Sequence, residues 1–411
     1  MGIQLEILRV DTKRVFTAGD VVEGVVRLRL SRATVISDVT VSLEGSVRTF
    51  LLEKGPAFIL GNDVPTVAEE HHKLFTSSKV LFPHANIPLT SKGFALPRGE
   101  FTFPFELTFP LSSSCSISQI GLKHVQTVLP PSFNGHATDH GAEAKIEYIL
   151  NVEAKRSGRL RKSFAIQQNF IFSPPDPSLH LMPVPHSGWY ARQAALYTRI
   201  PALDLTTAAS ASSDPLPVLL LEAKLPSLLV LYPGGSLPLH LCVRSLPMQM
   251  QLLPTARLRS LAITLQRRTS VTAGTHHTSW QSSTEIFNLS GLTRLVNRGL
   301  DVEELSDLND IILHTTTVPN ITPSFTTCTA EQTYALEVDA WFSVEKSNTL
   351  KPVKVVMNVE VWSGNGTGNE LNPIAPANEN TDALVPLRPG CLAHIGVDEG
   401  GAEERGPPPY R

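Results

Sequence analysis

Apolar and polar residues alternate with a period of two through most of this chain, and that rhythm restricts the fold more than any other feature. Val22, Gly24, Val26, Leu28 and Leu30 alternate with Glu23, Arg27 and Arg29. Val39, Val41 and Leu43 alternate with Thr40, Ser42 and Glu44, and Ile3, Leu5 and Ile7 with Gln4 and Glu6. The pattern returns at Ile146, Tyr148, Leu150 and Val152. Later it appears at Leu237–Val243, at Leu261, Ile263 and Leu265, at Tyr334, Leu336, Val338 and Ala340, and at Val353, Val355, Met357, Val359 and Val361. A strand places successive side chains on opposite faces, so these segments bury one face and wet the other. Antiparallel sandwiches are built from strands of that kind. Only 292–313 has helical spacing, through Leu292, Leu295, Val296, Leu305, Leu308 and Ile312. Gly299 weakens it, and a short helix or a loop is predicted there.

Turn and breaker residues divide the chain. Ala18-Gly19-Asp20 and Pro97-Arg98-Gly99 are turn signals, and Ser157-Gly158 reads as a hairpin tip. Pro104, inside Phe101, Phe103 and Phe105, predicts an edge strand or a bulge. Pro174-Pro175-Asp176-Pro177 stops a first domain over 1–175. Residues 176–214 contain Pro183, Pro185, Pro201 and a low-complexity run at 208–213, and read as a linker or an irregular extension. A second β series occupies 215–362. The tail, 363–411, has seven acids against three arginines, and Tyr410 is its one aromatic residue. It cannot build a core and is expected to be disordered.

Composition excludes several function classes. The formal net charge of −3 gives no basic field for nucleic acid. Cys115, Cys242, Cys328 and Cys391 are scattered without CxxC spacing, which argues against structural zinc and a disulfide scaffold. Cys242 reads as a buried small hydrophobe in an alternating strand. There is no run of 18 apolar residues and no signal-peptide pattern in the first ten, so a soluble cytoplasmic protein is expected. No Walker A, GxGxxG, HExxH or GxSxG motif occurs, and no catalytic residue, cofactor or metal is assigned. His71-His72 and His276-His277 are adjacent, point to opposite faces of a strand and read as solvated pairs rather than metal ligands.

Near the end stands Pro407-Pro408-Pro409-Tyr410. Pro-Pro-x-Tyr is a ligand motif of WW domains. Two prolines hold a polyproline II conformation before binding, so little entropy is lost on docking, and Tyr410 can fill a neighbouring pocket. Pro407, Pro408 and Tyr410 are the candidate WW-ligand residues. Lys155, Arg156, Arg159, Arg161 and Lys162 form the one basic concentration. They are candidates for contact with acidic cargo tails or an anionic membrane surface, or else a hairpin tip kept soluble by charge.

Several stretches, in order, resemble the α-arrestins, the arrestin-related trafficking adaptors. Val15-Phe16-Thr17-Ala18-Gly19-Asp20 through Val26 looks like that family's first hairpin, and 41–49 like its next strand. Gly99-Glu100-Phe101-Thr102-Phe103-Pro104-Phe105 is similar to its Gly-x-Phe-x-Phe-Pro-Phe segment. Leu129-Pro130-Pro131-Ser132-Phe133 with Tyr148-Ile149-Leu150 resembles its Pro-Pro-Ser-Phe…Tyr-x-Leu stretch. Tyr232-Pro233-Gly234-Gly235-Ser236 looks like the opening of its second domain. Many family members carry two or more Pro-Pro-x-Tyr motifs, and here one is found.

The resemblance implies an all-β fold of two tandem immunoglobulin-like antiparallel β-sandwiches. It also implies a non-catalytic adaptor recruited to the plasma membrane or endosomes. Such an adaptor binds cytosolic tails of membrane transporters or receptors. Through its Pro-Pro-x-Tyr motif it recruits a WW-domain HECT-type E3 ubiquitin ligase, and the cargo is ubiquitinated and endocytosed. The alternatives are an arrestin-fold subunit of an endosomal sorting or coat complex that needs no ligase, and a β-sandwich hydrolase or carbohydrate-binding protein. No lysine follows Lys354, so Lys346, Lys351 and Lys354 are the candidate ubiquitin acceptors nearest the tail.

Overall fold

A computed structural model of the protein describes residues 3–53, 66–83, 93–113, 128–137, 141–157, 163–177, 188–198, 216–245, 256–295, 305–312, 316–344 and 347–364. All of them belong to one unit, Met1–Gly368. The described residues of the first half form ten strands: β1 (Ile3–Leu8), β2 (Val15–Phe16), β3 (Val21–Leu30), β4 (Thr34–Glu53), β5 (Thr66–Phe82), β6 (Phe94–Leu96), β7 (Gly99–Thr108), β8 (Phe133–Ala137), β9 (Ala142–Arg156) and β10 (Phe164–Phe172). One sheet has the order β1-β3-β7; the facing sheet runs β2-β10-β9-β4-β5, with β6 on β4 and β8 on β9. The buried residues of β3, β4 and β9 are those the alternation selects, Val26 and Leu28, Val41 and Leu43, Tyr148 and Leu150 among them. Pro104 lies in β7, an edge strand as expected, opposite Val25.

The second half repeats the arrangement. Its elements are β11 (Trp189–Thr198), β12 (Leu216–Pro226), β13 (Val230–Leu231), β14 (His240–Ser245), β15 (Ala256–Ala273), β16 (His276–Leu295), β17 (Leu305–Asp307), α1 (Asn309–Ile312), β18 (Phe325–Thr326), β19 (Ala330–Val344) and β20 (Ser347–Val361). The sheets are β11-β12-β14-β17 and β13-β20-β19-β15-β16, with β18 on β19. The fold is two tandem antiparallel β-sandwiches. In each, one two-residue strand pairs in parallel with the last strand: β2 with β10 and β13 with β20.

One local expectation is corrected and another is met in part. The segment 176–214 is more than a linker, because its residues 189–198 form β11, the outer strand of the second sandwich, paired with β12. Alanines at 191, 194 and 195 blur its alternation, and the prolines at 183, 185 and 201 flank it without entering it. The short helix or loop predicted over 292–313 is met by α1, while other members of that spacing are in strands. Leu292 and Leu295 lie in β16, Leu305 lies in β17, and among the described residues of this stretch Asn309–Ile312 is the helical part. Val296 and Gly299 lie outside the described residues.

The two halves share hydrogen bonds as well as topology. In the first, Asp20 N donates to Thr17 O (3.1 Å), Gly19 N to Phe109 O (3.0 Å) and Phe109 N to Asp20 O (2.9 Å). In the second, Gly235 N donates to Tyr232 O (3.0 Å), Gly234 N to Val318 O (2.9 Å) and Val318 N to Gly235 O (2.8 Å). Gly19 and Gly234 take the left-handed backbone these turns require, at φ 86° and 73°. Ser132 exchanges backbone and hydroxyl bonds with Phe172, as Ser324 does with Val361. The buried Tyr148 hydroxyl donates to Pro130 O (2.5 Å), and the Tyr334 hydroxyl to Thr322 O (2.6 Å). Burial pushes both phenols above their ordinary pKa.

Candidate functional site

Buried polar side chains, Thr49, Glu70 and His72, gather at the junction of the two sandwiches. β3 and β7 cover only part of the inner face of the large first sheet. Val271 and Ala273, at the end of β15, join the same buried cluster as Val47, Leu51 and Ala144. Phe325 and Ala330 also join it, and the Phe325 ring lies 5.0 Å from that of Phe133. The second sandwich therefore completes the core of the first.

Polar contacts fix the register of this docking. Thr49, fully buried on β4, donates its hydroxyl to Thr272 O at 2.9 Å. Opposite Thr49 in the β4–β5 pairing stands Glu70, 7% exposed. Its Oε1 accepts from Gly274 N at 2.8 Å, and its Oε2 lies 3.0 Å from His72 Nε2. Gly274, at φ 62°, is in the turn between β15 and β16. A hairpin tip of one sandwich thus presents a backbone N–H to a buried carboxyl of the other. A buried polar group is stable only when bonded, so this contact specifies one docking position.

The solvated reading of His71-His72 fails for His72, which is 1% exposed. Glu70, His72 and Leu74 are buried while Glu69, His71 and Lys73 between them are exposed. That alternation was the available signal. It was obscured because the buried face carries two polar side chains, whose partner is a backbone amide 204 residues away. The Cys242 reading is also corrected. Leu241 and Val243 face the core, and Cys242 points to the outer face beside Glu222 and Lys224, with its thiol pushed up by burial and then by Glu222. On that face burial raises the Glu222 carboxyl, but hydrogen bonds from Lys224 and Gln193 outweigh it and hold it below the ordinary carboxylate value.

The candidate site residues are distributed unevenly. Pro407, Pro408 and Tyr410 lie outside the described residues, as do Arg159, Arg161, Lys162 and Lys346. Lys155, at the end of β9, sits 3.8 Å from Asp38 and 3.7 Å from Glu153, so carboxylates already face its charge. Burial raises the Asp38 carboxyl, and Lys155 opposes that shift. Arg156 follows on β9 with its Nε buried. Lys351 and Lys354 are on β20. Lys351 Nζ donates to Tyr197 O at 3.1 Å. Lys354 Nζ lies 2.6 Å from Glu337 and 3.7 Å from Asp339, and its hydrogen bond to Glu337 holds its pKa above the ordinary lysine value. No group of three or more metal-ligating side chains occurs among the described residues, and no described helix is long and apolar enough to cross a membrane.

The first sandwich carries the turn, the Gly-aromatic strands and the Ser–Tyr corner as one unit. Residues 5–173 match the arrestin (or S-antigen) N-terminal domain. The match ends one residue after β10, at the limit of the first sandwich. It types the first sandwich as an arrestin N-terminal domain, and the second sandwich repeats the same strand arrangement in tandem. No curated protein matches the chain.

Proposed function

We propose that this protein is a non-catalytic trafficking adaptor of the α-arrestin type, acting in the cytoplasm and recruited to the plasma membrane or endosomes. The tandem sandwiches hold the cytosolic tail of a transporter or receptor. Pro407, Pro408 and Tyr410 dock a WW domain of a HECT-type ubiquitin ligase, which modifies the held cargo and promotes its endocytosis. The carrying observation is the combination of an arrestin-type first domain, matched over 5–173, with a Pro-Pro-x-Tyr sequence in the same chain. The fold alone supports cargo binding equally in a sorting-complex subunit; the motif separates the two readings, since such a subunit has no need of a WW ligand. Among the basic residues, Lys155 is engaged by Asp38 and Glu153, which leaves the anionic contact to Arg156, Arg159, Arg161 and Lys162.

The test is binding of the full-length protein to an isolated ligase WW domain, with and without Tyr410→Ala. An aromatic anchor of this kind is worth about 2 kcal/mol or more, so an affinity loss of roughly 30-fold is expected with no change in thermal stability. Equal binding by the variant would sink the ligase reading and leave the sorting-complex alternative. In a reconstituted ubiquitination reaction, self-modification is expected at Lys346, Lys351 or Lys354. Peptide mapping that finds it confined to distant lysines such as Lys13 or Lys54 excludes that assignment.

A further inference from the structure

We propose that the cleft between the two sandwiches binds an arginine side chain carried by an extended segment of a partner protein. The proposal is independent of the WW ligand, since it concerns the sandwiches only. The cleft has a volume of about 430 Å³ and draws its walls from both halves. Pro131 and Pro175 come from the first, and Pro323, Phe325 and Trp362 from the second. Its charged lining among the described residues is Asp176, Glu331 and Glu360, with no lysine, arginine or histidine among them. An apolar slot with three carboxylates selects a cation attached to an apolar stem.

Two buried oxygens sharpen that chemistry. Asp176 uses Oδ1 to hold the end of the second sandwich, accepting from Ser363 N (2.8 Å), Ser363 Oγ (2.8 Å) and Gly364 N (3.2 Å). Its Oδ2 is buried and accepts no hydrogen bond from the described residues. Gln332 is fully buried, and its Nε2 donates to Thr322 O (3.3 Å), Pro323 O (3.5 Å) and Tyr334 Oη (2.9 Å). A flipped amide would set its oxygen against two carbonyls, so the orientation is determined and Oε1 is the atom left without a donor.

Both unpartnered atoms are acceptors, and the complementary group must donate. A guanidinium offers five N–H donors in one plane, is weakly hydrated and lies flat against rings, which fits walls of proline, Phe325 and Trp362 better than a compact, strongly hydrated ammonium does.

The experiment is a calorimetric titration of the full-length protein with acetyl-Ala-Ala-Arg-Ala-Ala-amide, beside the same peptide with norleucine in place of arginine. The arginine peptide is expected to bind saturably, at least tenfold more tightly than the norleucine peptide, and more weakly as salt rises. The Trp362 indole N–H resonance is expected to shift along the same curve. Asp176→Asn keeps an oxygen for Ser363 and Gly364 and replaces only the unpartnered atom, so it is expected to weaken the arginine peptide about tenfold at an unchanged melting temperature. Should that variant lose stability, the Glu331→Gln/Glu360→Gln pair removes charge without touching the Ser363 bonds, with a similar loss expected. Equal affinity for the two peptides, an unmoved Trp362 resonance, or wild-type affinity in the carboxylate variants would overturn the proposal.

Discussion

Where the first sandwich holds Phe16, Phe109, Phe170 and Phe172, the second holds Leu231, Val318, Val359 and Val361 in the corresponding positions of the hydrogen-bonded frame. Phe109 packs within 6.4 Å, ring centre to ring centre, of Phe16, Phe75, Tyr148, Phe170 and Phe172. The buried aromatics of the second core are Tyr334 and Phe342 among many leucines and valines. The rings of the first core require space from the backbone. A Cβ on Gly45 would stand 2.7 Å from Phe75 and 2.9 Å from Tyr148, and one on Gly24 would stand 2.6 Å from Phe105. Leucine and valine stripes can exchange members with little loss, whereas a glycine facing a ring cannot. The same topology is thus specified by distinctive pairs in one half and by generic alternation in the other, and the family match covers the half with the pairs.

The largest effect that could break this comparison is expected from truncating its central pair. Phe109→Ala should cost about 3–5 kcal/mol in denaturant unfolding, as for other buried phenylalanines. Val318→Ala at the matching place should cost roughly 1–2.5 kcal/mol, from two buried carbons at about 0.8 kcal/mol each and a small cavity. Equal losses would show that ring packing is not what distinguishes the halves.

The junction, where the two cores touch, comes next. Glu70→Ala leaves the Gly274 N–H and the His72 ring without their carboxyl partner, at an expected cost of about 1–3 kcal/mol. Hydrogen exchange at Gly274 should accelerate more than exchange at the centres of β9 or β19. Unchanged protection at Gly274 would mean that apolar contact alone docks the sandwiches.

The smallest effects test what the halves share. Tyr148→Phe and Tyr334→Phe each remove one hydroxyl donor and should each cost about 1 kcal/mol. Because both phenols have a folded pKa raised by burial, each contributes stability that is complete below the unfolded value of about 10 and is lost as pH rises above it, by up to about 1.4 kcal/mol per pH unit. Each Tyr→Phe variant is therefore expected to flatten the alkaline fall in stability, measured by unfolding between about pH 9 and 11. A flattening in one variant only would show that the two corners are not equivalent.

The legible parts of the fold were the strands with one apolar face. β3, β4, β9, β19 and β20 are read directly from their alternation, because one face of each packs on the opposite sheet. β11 was illegible because its alanines contrast little with their neighbours. The repeat itself was half legible. Pro131-Ser132-Phe133 with Tyr148 stands out in the sequence, while Pro323-Ser324-Phe325 with Tyr334 carries the same corner in a stretch with few other shared residues to mark it. The junction was hidden for a different reason: a buried carboxyl bonded to a distant backbone amide has no local pattern. The cleft was hidden likewise, since its acceptors at 176 and 332 come together only through the pairing of whole sandwiches.

The four residues that the second sandwich contributes to the first core, Val271, Ala273, Phe325 and Ala330, also set a timetable for the nascent chain. The last residue of β10 is Phe172, and the core it belongs to is not closed until position 330 has been made. At a synthesis rate of about 5–20 residues per second, the intervening stretch takes roughly 8–30 s. A chain stopped in that interval lacks some or all of Val271, Ala273, Phe325 and Ala330, so the Val47, Thr49 and Leu51 side chains of a long strand lose cover they have in the finished fold. Such an opening is a natural target for a holding chaperone. A truncation between those two points is therefore expected to yield a first sandwich with part of its apolar core exposed, less stable and more prone to association than the whole chain.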